Sequence, residues 1–162
     1  MVYLQCGKNL QSTSTIENAY KVRLDAYAIG GIQMNKKEIL DCLAAFPYDR
    51  DAYWLVTGGA MVLYGIKEQT ADIDLGCSKK LADDLERGGF LYSIDTEGKR
   101  WFKYGESIEI FEEWIRDSTT LESGFRVVSI NGLIAMKQEM GRKKDLKDIE
   151  LIMNYLNSIE PI

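Results

Sequence analysis

The chain has 162 residues, 46% hydrophobic and 28% charged, values that suit a single soluble domain able to fold around its own core without staples. Its net charge of −5 gives no long-range attraction to nucleic acid, so a general DNA-coating role is disfavoured. Histidine is absent and Cys6, Cys42 and Cys77 lack metal-ligand spacing, which argues against structural zinc and for reduced, mostly buried thiols. No apolar run approaches the roughly 20 residues of a membrane span. The opening MVYLQCGKNL lacks the basic start and apolar core of a signal peptide, so the cytoplasm is the expected compartment, with no membrane partner.

In chain order, residues 1–33 read as an N-terminal arm distinct from a domain at 34–162. The polar run Gln11-Ser12-Thr13-Ser14-Thr15 and the break at Gly30-Gly31 set it apart, although Ile16 to Tyr27 has the makings of a short helix. It reads as an appended arm, a segment that binds a protein partner, or the product of an upstream start codon. MNKKEILDCLAAF predicts a helix capped by Asn35, with Ile39, Leu40, Leu43 and Phe46 on one face. Tyr53-Trp54-Leu55-Val56 suits a buried strand, Thr57-Gly58-Gly59 punctuates it, and Ala60 to Tyr64 opens a helix. Thr70 to Leu75 alternates as a strand, with Ala71, Ile73 and Leu75 on one face and Asp72 and Asp74 on the other.

Ser78 to Arg87 predicts a helix capped by Ser78 and stopped by Gly88-Gly89. Phe90 to Ile94, Arg100 to Tyr104, Ser107 to Phe111 and Arg126 to Ser129 are strand candidates. Ile130 to Gly141 and Leu146 to Asn157 are helical, the second with Leu146, Ile149, Met153 and Leu156 as its apolar stripe. The expected fold is α+β (mixed α/β), a mixed sheet of about five strands flanked by helices.

Four features carry chemistry. Asp72 and Asp74, alternate residues on a strand, project together, and the repulsion between them calls for a counter-ion such as Mg²⁺; the plain alternative is a solvated strand face. Gly58-Gly59, between a strand and a helix, lets a backbone approach a phosphate, or simply makes a tight turn. Glu109 is a lone acid at an inward-alternating position in the apolar run Ser107 to Phe111, and would complete a three-carboxylate metal site if it faces Asp72 and Asp74. Lys137, Lys144 and Asp148 share one helical face if a single helix runs through Gly141, placing cations against a triphosphate; a solvated mixed-charge face is the alternative.

Together these features resemble the polymerase-β-like nucleotidyltransferase superfamily, whose pattern is Gly-Gly or Gly-Ser, a helix, Asp-x-Asp/Glu on a strand, then a third carboxylate. Here the pattern stands as Val56-Thr57-Gly58-Gly59-Ala60, Gly65 to Thr70, Asp72-Ile73-Asp74-Leu75 and Glu109. MKQEMGRKKDLKDIELI resembles the Lys–Arg–Lys-Asp–Asp pattern of a small bacterial branch that includes abortive-infection, toxin–antitoxin and antibiotic transferases. The resemblance covers residues 54–153.

The resemblance implies transfer of a nucleoside monophosphate from an NTP, ATP by default, to an acceptor hydroxyl or other nucleophile, with release of pyrophosphate. Two Mg²⁺ ions would be held by Asp72, Asp74 and Glu109, with Glu109 also a general base. Thr57, Gly58 and Gly59 would cradle phosphates, and Lys137 and Lys144 would neutralise them. The acceptor, a small molecule, a tRNA end or a protein side chain, is not declared. Two positions depart from the pattern, Glu68 for an arginine and Glu109 for an aspartate. They motivate an alternative, a catalytically weak or inactive nucleotide-binding module; an interaction component of a toxin–antitoxin-type pair is a third reading.

Overall fold

Asn35 does at the start of the first described helix what its side chain suits it to do. Its carboxamide oxygen accepts from Glu38 N at 3.0 Å while the Glu38 carboxylate accepts from Asn35 N at 2.8 Å, a reciprocal cap. The computed structural model describes residues 33–160, so the arm expected at 1–33, its possible helix from Ile16 to Tyr27 and Cys6 lie outside the described residues, Gln33 excepted. In order, the elements are β1 (Met34–Asn35), α1 (Lys36–Ala45), a 3-10 turn (Arg50–Ala52), β2 (Tyr53–Val56), α2 (Thr57–Leu63), β3 (Gln69–Thr70) and β4 (Ile73–Cys77). There follow α3 (Lys79–Arg87), β5 (Tyr92–Ile94), β6 (Arg100–Tyr104), β7 (Ile108–Glu112), β8 (Thr119–Glu122), β9 (Phe125–Val128), α4 (Ile130–Met140) and α5 (Lys143–Ile159). No described helix is long and apolar enough to cross a membrane.

The main sheet is mixed and has seven strands in the order β5-β6-β7-β4-β2-β9-β8, where the sequence leads to about five. The unforeseen strand is β8, which pairs antiparallel with β9 around the turn Ser123-Gly124. Its TTLE has no buried alternation, so the sequence pattern is silent there. β4 lies at the centre, antiparallel to β2 and parallel to β7, and β2 runs parallel to β9.

Alternation decides the two faces of this sheet. Tyr53, Leu55, Ile73, Leu75, Cys77, Ile108, Ile110 and Phe102 point to one side, where they are buried with Ile39 and Leu43 of α1 and Leu81 and Leu85 of α3. At the end of that face Arg100 bonds Glu112 through Nε at 2.9 Å and Nη2 at 2.8 Å, and reaches Asp83 and Glu86 of α3 at 2.7 and 2.6 Å. The bonds from Arg100 hold the Glu112 carboxyl below the usual carboxylate range, outweighing the burial that would raise it. The opposite face carries Trp54, Val56, Asp74, Gly76, Glu109, Phe111, Trp101 and Lys103.

Segment 113–118 leads from β7, beside the centre of the sheet, to β8 at its far edge. The Trp54 indole N–H donates to the Trp114 carbonyl at 2.8 Å, and a Cβ on Gly76 would strike both groups. Gly132 of α4 is equally constrained, since a Cβ there would strike the Arg116 carbonyl.

Three expectations are corrected. The strand expected from Thr70 to Leu75 is broken: Thr70 belongs to a separate ribbon, paired with Met34, and the central ladder starts where Ile73 N donates to Ser107 O at 2.8 Å. Asp72 therefore lies on the connection and is exposed. The apolar stripe expected on α5 faces the core only in part: Leu156 packs against it and Ile149 is half-buried, but Leu146 and Met153 are 59% and 46% exposed while Asp145, Asp148 and Ile152 are buried. Finally, no single helix joins Lys137 to Asp148. Gly141 has a left-handed backbone at φ 59° and ends α4, as glycine does at helix C-termini.

Candidate functional site

The centre of the candidate site is Asp74, on the middle strand and on the face away from α1 and α3. In register it lies beside Glu109 of β7 on one side and Val56 of β2 on the other. Glu109 is thus not inward as the pattern suggests; Ile108 and Ile110 take the core side and Glu109 the half-open face. This places the two carboxylates on neighbouring strands of one face, where paired residues stand about 5 Å apart.

Thr57 follows β2 directly and has φ 53°, a left-handed conformation costly for a β-branched residue. It is buried, and its hydroxyl donates to Asp74 Oδ2 at 2.7 Å. Asp74 Oδ1 is buried as well and has no hydrogen-bond partner among the described residues. Burial pushes the Asp74 carboxyl above the usual range. The Thr57 bond opposes this, the Asp72 charge adds to it, and Lys137 and Lys144 pull the other way. Glu109 is raised too, first by burial, then by Asp74, with Lys103 opposing at 4.0 Å and Asp72 adding a little. Two neighbouring carboxylates thus both resist ionisation, and the nearby lysines Lys103, Lys137 and Lys144 only partly offset this.

The other expected residues fall as follows. Asp72 is exposed on the approach to β4, close enough to raise both Asp74 and Glu109. Gly58 and Gly59 open α2 beside Thr57, and packing explains them: a Cβ on Gly58 would come 2.5 Å from Thr70 Oγ1, and one on Gly59 2.9 Å from Leu55 Cδ1. Lys144 is exposed in the first turn of α5.

Lys137 is buried instead of open. Its Nζ lies 2.7 Å from Asp148 Oδ2 and 3.4 Å from Asp145 Oδ1. Lys67 also bridges Asp148 at 2.7 Å, and Arg142 Nε bonds Asp145 at 2.6 Å. Burial pushes both aspartates up, but these partners outweigh it and hold them below the usual range.

Asp74, Glu109 and Thr57 are therefore in one place, with Asp72, Lys137 and Lys144 near enough to act electrostatically on Asp74. Lys103 and Lys67 had no signal of their own in the sequence, and Arg142 only as the arginine of the MKQEMGRKKDLKDIELI pattern; strand register and the α4–α5 packing bring them in. An orphaned, buried carboxylate oxygen beside a second desolvated carboxylate fits a hard divalent cation, which takes oxygen donors and shares its remaining positions with phosphate and water. Among the described residues no three acidic or cysteine side chains converge to hold a metal unaided, so phosphate oxygens would have to supply part of any such shell. No family model, curated protein or solved structure matches this chain.

Proposed function

We propose that the chain is a nucleotidyltransferase, which moves a nucleoside monophosphate from an NTP to an acceptor and releases pyrophosphate. The observation that carries this reading is Asp74 itself: a partly buried carboxylate with one oxygen held by Thr57, the other buried and without a partner among the described residues, and Glu109 beside it in register. Asp74 and Glu109, with Asp72 on the rim, would hold Mg²⁺ together with the triphosphate. The metal, when bound, would neutralise the carboxylates and withdraw charge from the phosphate oxygens.

The chain's own residues then have distinct tasks. Thr57 fixes the rotamer of Asp74, so that Oδ1 is the oxygen left for a ligand. Glu109, held basic by burial and by Asp74, takes the proton from the acceptor hydroxyl as its oxygen bonds to the α-phosphorus and the bond to pyrophosphate breaks. Exposed Lys144 meets the leaving pyrophosphate charge, while Lys137 acts on the same region from within the protein.

One observation favours a second reading, a nucleotide-binding module without turnover. The cation expected to touch the triphosphate, Lys137, is already bonded to Asp145 and Asp148. Calorimetric titration of the four NTPs with Mg²⁺ into the wild type and into an Asp72→Asn/Asp74→Asn double variant separates the outcomes. Saturable, metal-dependent binding that the variant loses supports the site, and incorporation of α-labelled nucleotide then supports transfer over binding alone. A folded wild type that binds no NTP refutes both readings.

A further inference from the structure

The face that carries Asp74 and Glu109 continues along the same strands to an aromatic wall. Two residues beyond Glu109, Phe111 lies beside Trp101 of β6, the rings within 7° of parallel and 6.1 Å between centroids. Trp114, on the segment leaving β7, packs edge-on against Phe111 at 4.9 Å. These rings line a cleft of about 380 Å³, whose rim includes the turn between β5 and β6 at residues 95–99. That volume falls within the roughly 300–1,000 Å³ typical of small-molecule sites. The indole Nε1 of Trp101 is buried with no hydrogen-bond partner among the described residues.

Charge indicates what such a cleft would take. Its lining carries four carboxylates, Asp95, Glu97, Glu112 and Glu113, against three cations, Lys99, Arg100 and Arg116. Each cation is already engaged: Lys99 with Glu113, Arg116 with Glu139, and Arg100 with Glu112 and two more acids from α3. Glu139 thus adds negative charge behind the lining, whereas the two α3 acids lie on the far face of the sheet, where Lys79 also bridges Asp83. Glu97 has no ion pair among the described residues, and Asp95 spends Oδ1 on the backbone N–H groups of Glu97 and Lys99. Aromatic faces and surplus negative charge both attract cations, whereas a triphosphate would be repelled.

We infer that this cleft binds a small organic cation bearing a flat ring, its ring against the Trp101–Phe111–Trp114 wall and its charge toward Glu97. The inference does not depend on the transferase reading, because its ligand and its test involve no nucleotide.

Benzyltrimethylammonium, titrated into the full chain and followed by tryptophan fluorescence and calorimetry, tests it, with benzyl alcohol as the uncharged control of the same ring. The cation is expected to bind saturably and about fivefold or more tighter than the alcohol. Trp114→Leu, which keeps the backbone carbonyl that Trp54 uses, should weaken the cation about fivefold. Glu97→Gln, on an exposed turn where folding is not at risk, should weaken it roughly two- to fivefold and leave the alcohol unchanged. Absence of saturation, equal affinity for cation and alcohol, or affinity unmoved by both substitutions would overturn the inference.

Discussion

Replacing Asp74 with asparagine should make the protein more stable, against the usual direction of a substitution. Ionised Asp74 is largely desolvated, and among the described residues its side chain has one hydrogen bond, from Thr57, and leaves Oδ1 buried with no partner. Asparagine is nearly isosteric, keeps an oxygen for the Thr57 hydroxyl, and removes the charge that also raises Glu109. A buried unsatisfied polar group costs about 1–3 kcal/mol, and more when charged. The new amide N–H₂ recovers only part of that loss, so a net gain of about 1 kcal/mol is expected at neutral pH, or about 2–4 °C in Tm for a chain of this length.

The sign of the pH dependence follows from the raised pKa. A carboxyl whose native value lies above its unfolded value destabilises the fold when ionised, and that cost disappears as pH falls through the native value. The advantage of Asp74→Asn should therefore shrink on acidification, because the wild-type carboxyl is then neutral too. Denaturant titrations in the presence of a chelator at pH 7.5 and near pH 3.8, the ordinary aspartate value, measure both effects. A variant less stable than wild type at pH 7.5, or a difference that does not move with pH, refutes the description of Asp74 as an uncompensated buried charge.

Thr57→Val removes the only hydrogen bond to the Asp74 side chain among the described residues and should cost about 1.5–3 kcal/mol, while Thr57→Ser keeps the donor and should cost less than about 1 kcal/mol. Equal denaturation midpoints for the two variants would refute a role for the hydroxyl. Lys137→Met leaves Asp145 and Asp148 buried without their shared cation and should cost about 3 kcal/mol at pH 7, the low end for a broken buried pair because Arg142 and Lys67 still contact them. The lowered native values of both aspartates mean that this stabilisation is present at neutral pH and is lost as pH falls below the 3.8 of an ordinary aspartate. Thermal melts of the variant at pH 7 check the size, and an unchanged melt would mean that Lys137 is not a structural cation.

Local features were the legible part of this fold. Asn35 and Ser78 cap the helices they precede, and Gly88 and Gly141 end helices, because caps and stops depend on a few neighbouring residues. Alternation found the central strands for the same reason. The face of α5 was misjudged because apolar spacing assumes that charge stays outside. Here Lys137 makes burial of Asp145 and Asp148 favourable from across the Gly141 turn, a pairing that periodicity does not contain. Asp72 and Asp74 were noticed as a pair, but the break that takes Asp72 off the strand comes from Thr70 pairing with Met34, a contact between distant segments. The bond from Thr57 to Asp74 likewise spans 17 positions, and nothing in TGGA or DIDL announces it. Residue types suggested the carboxylates; long-range register determines which of them meet.

The pairing of Leu55 with Val127 places β9, from the last third of the chain, directly beside the strand that leads into Thr57. As the chain emerges from the ribosome, β2 and β4 can form their antiparallel ladder early, but the outer edge of β2 stays unpaired until residues 125–128 arrive. Until then an apolar strand edge is open to other nascent chains, and Val56 and Thr57 lack the neighbour that completes the sheet beside Asp74. Fragments ending before β9 should therefore be recovered as aggregates, whereas chains that include it close the sheet in one late step.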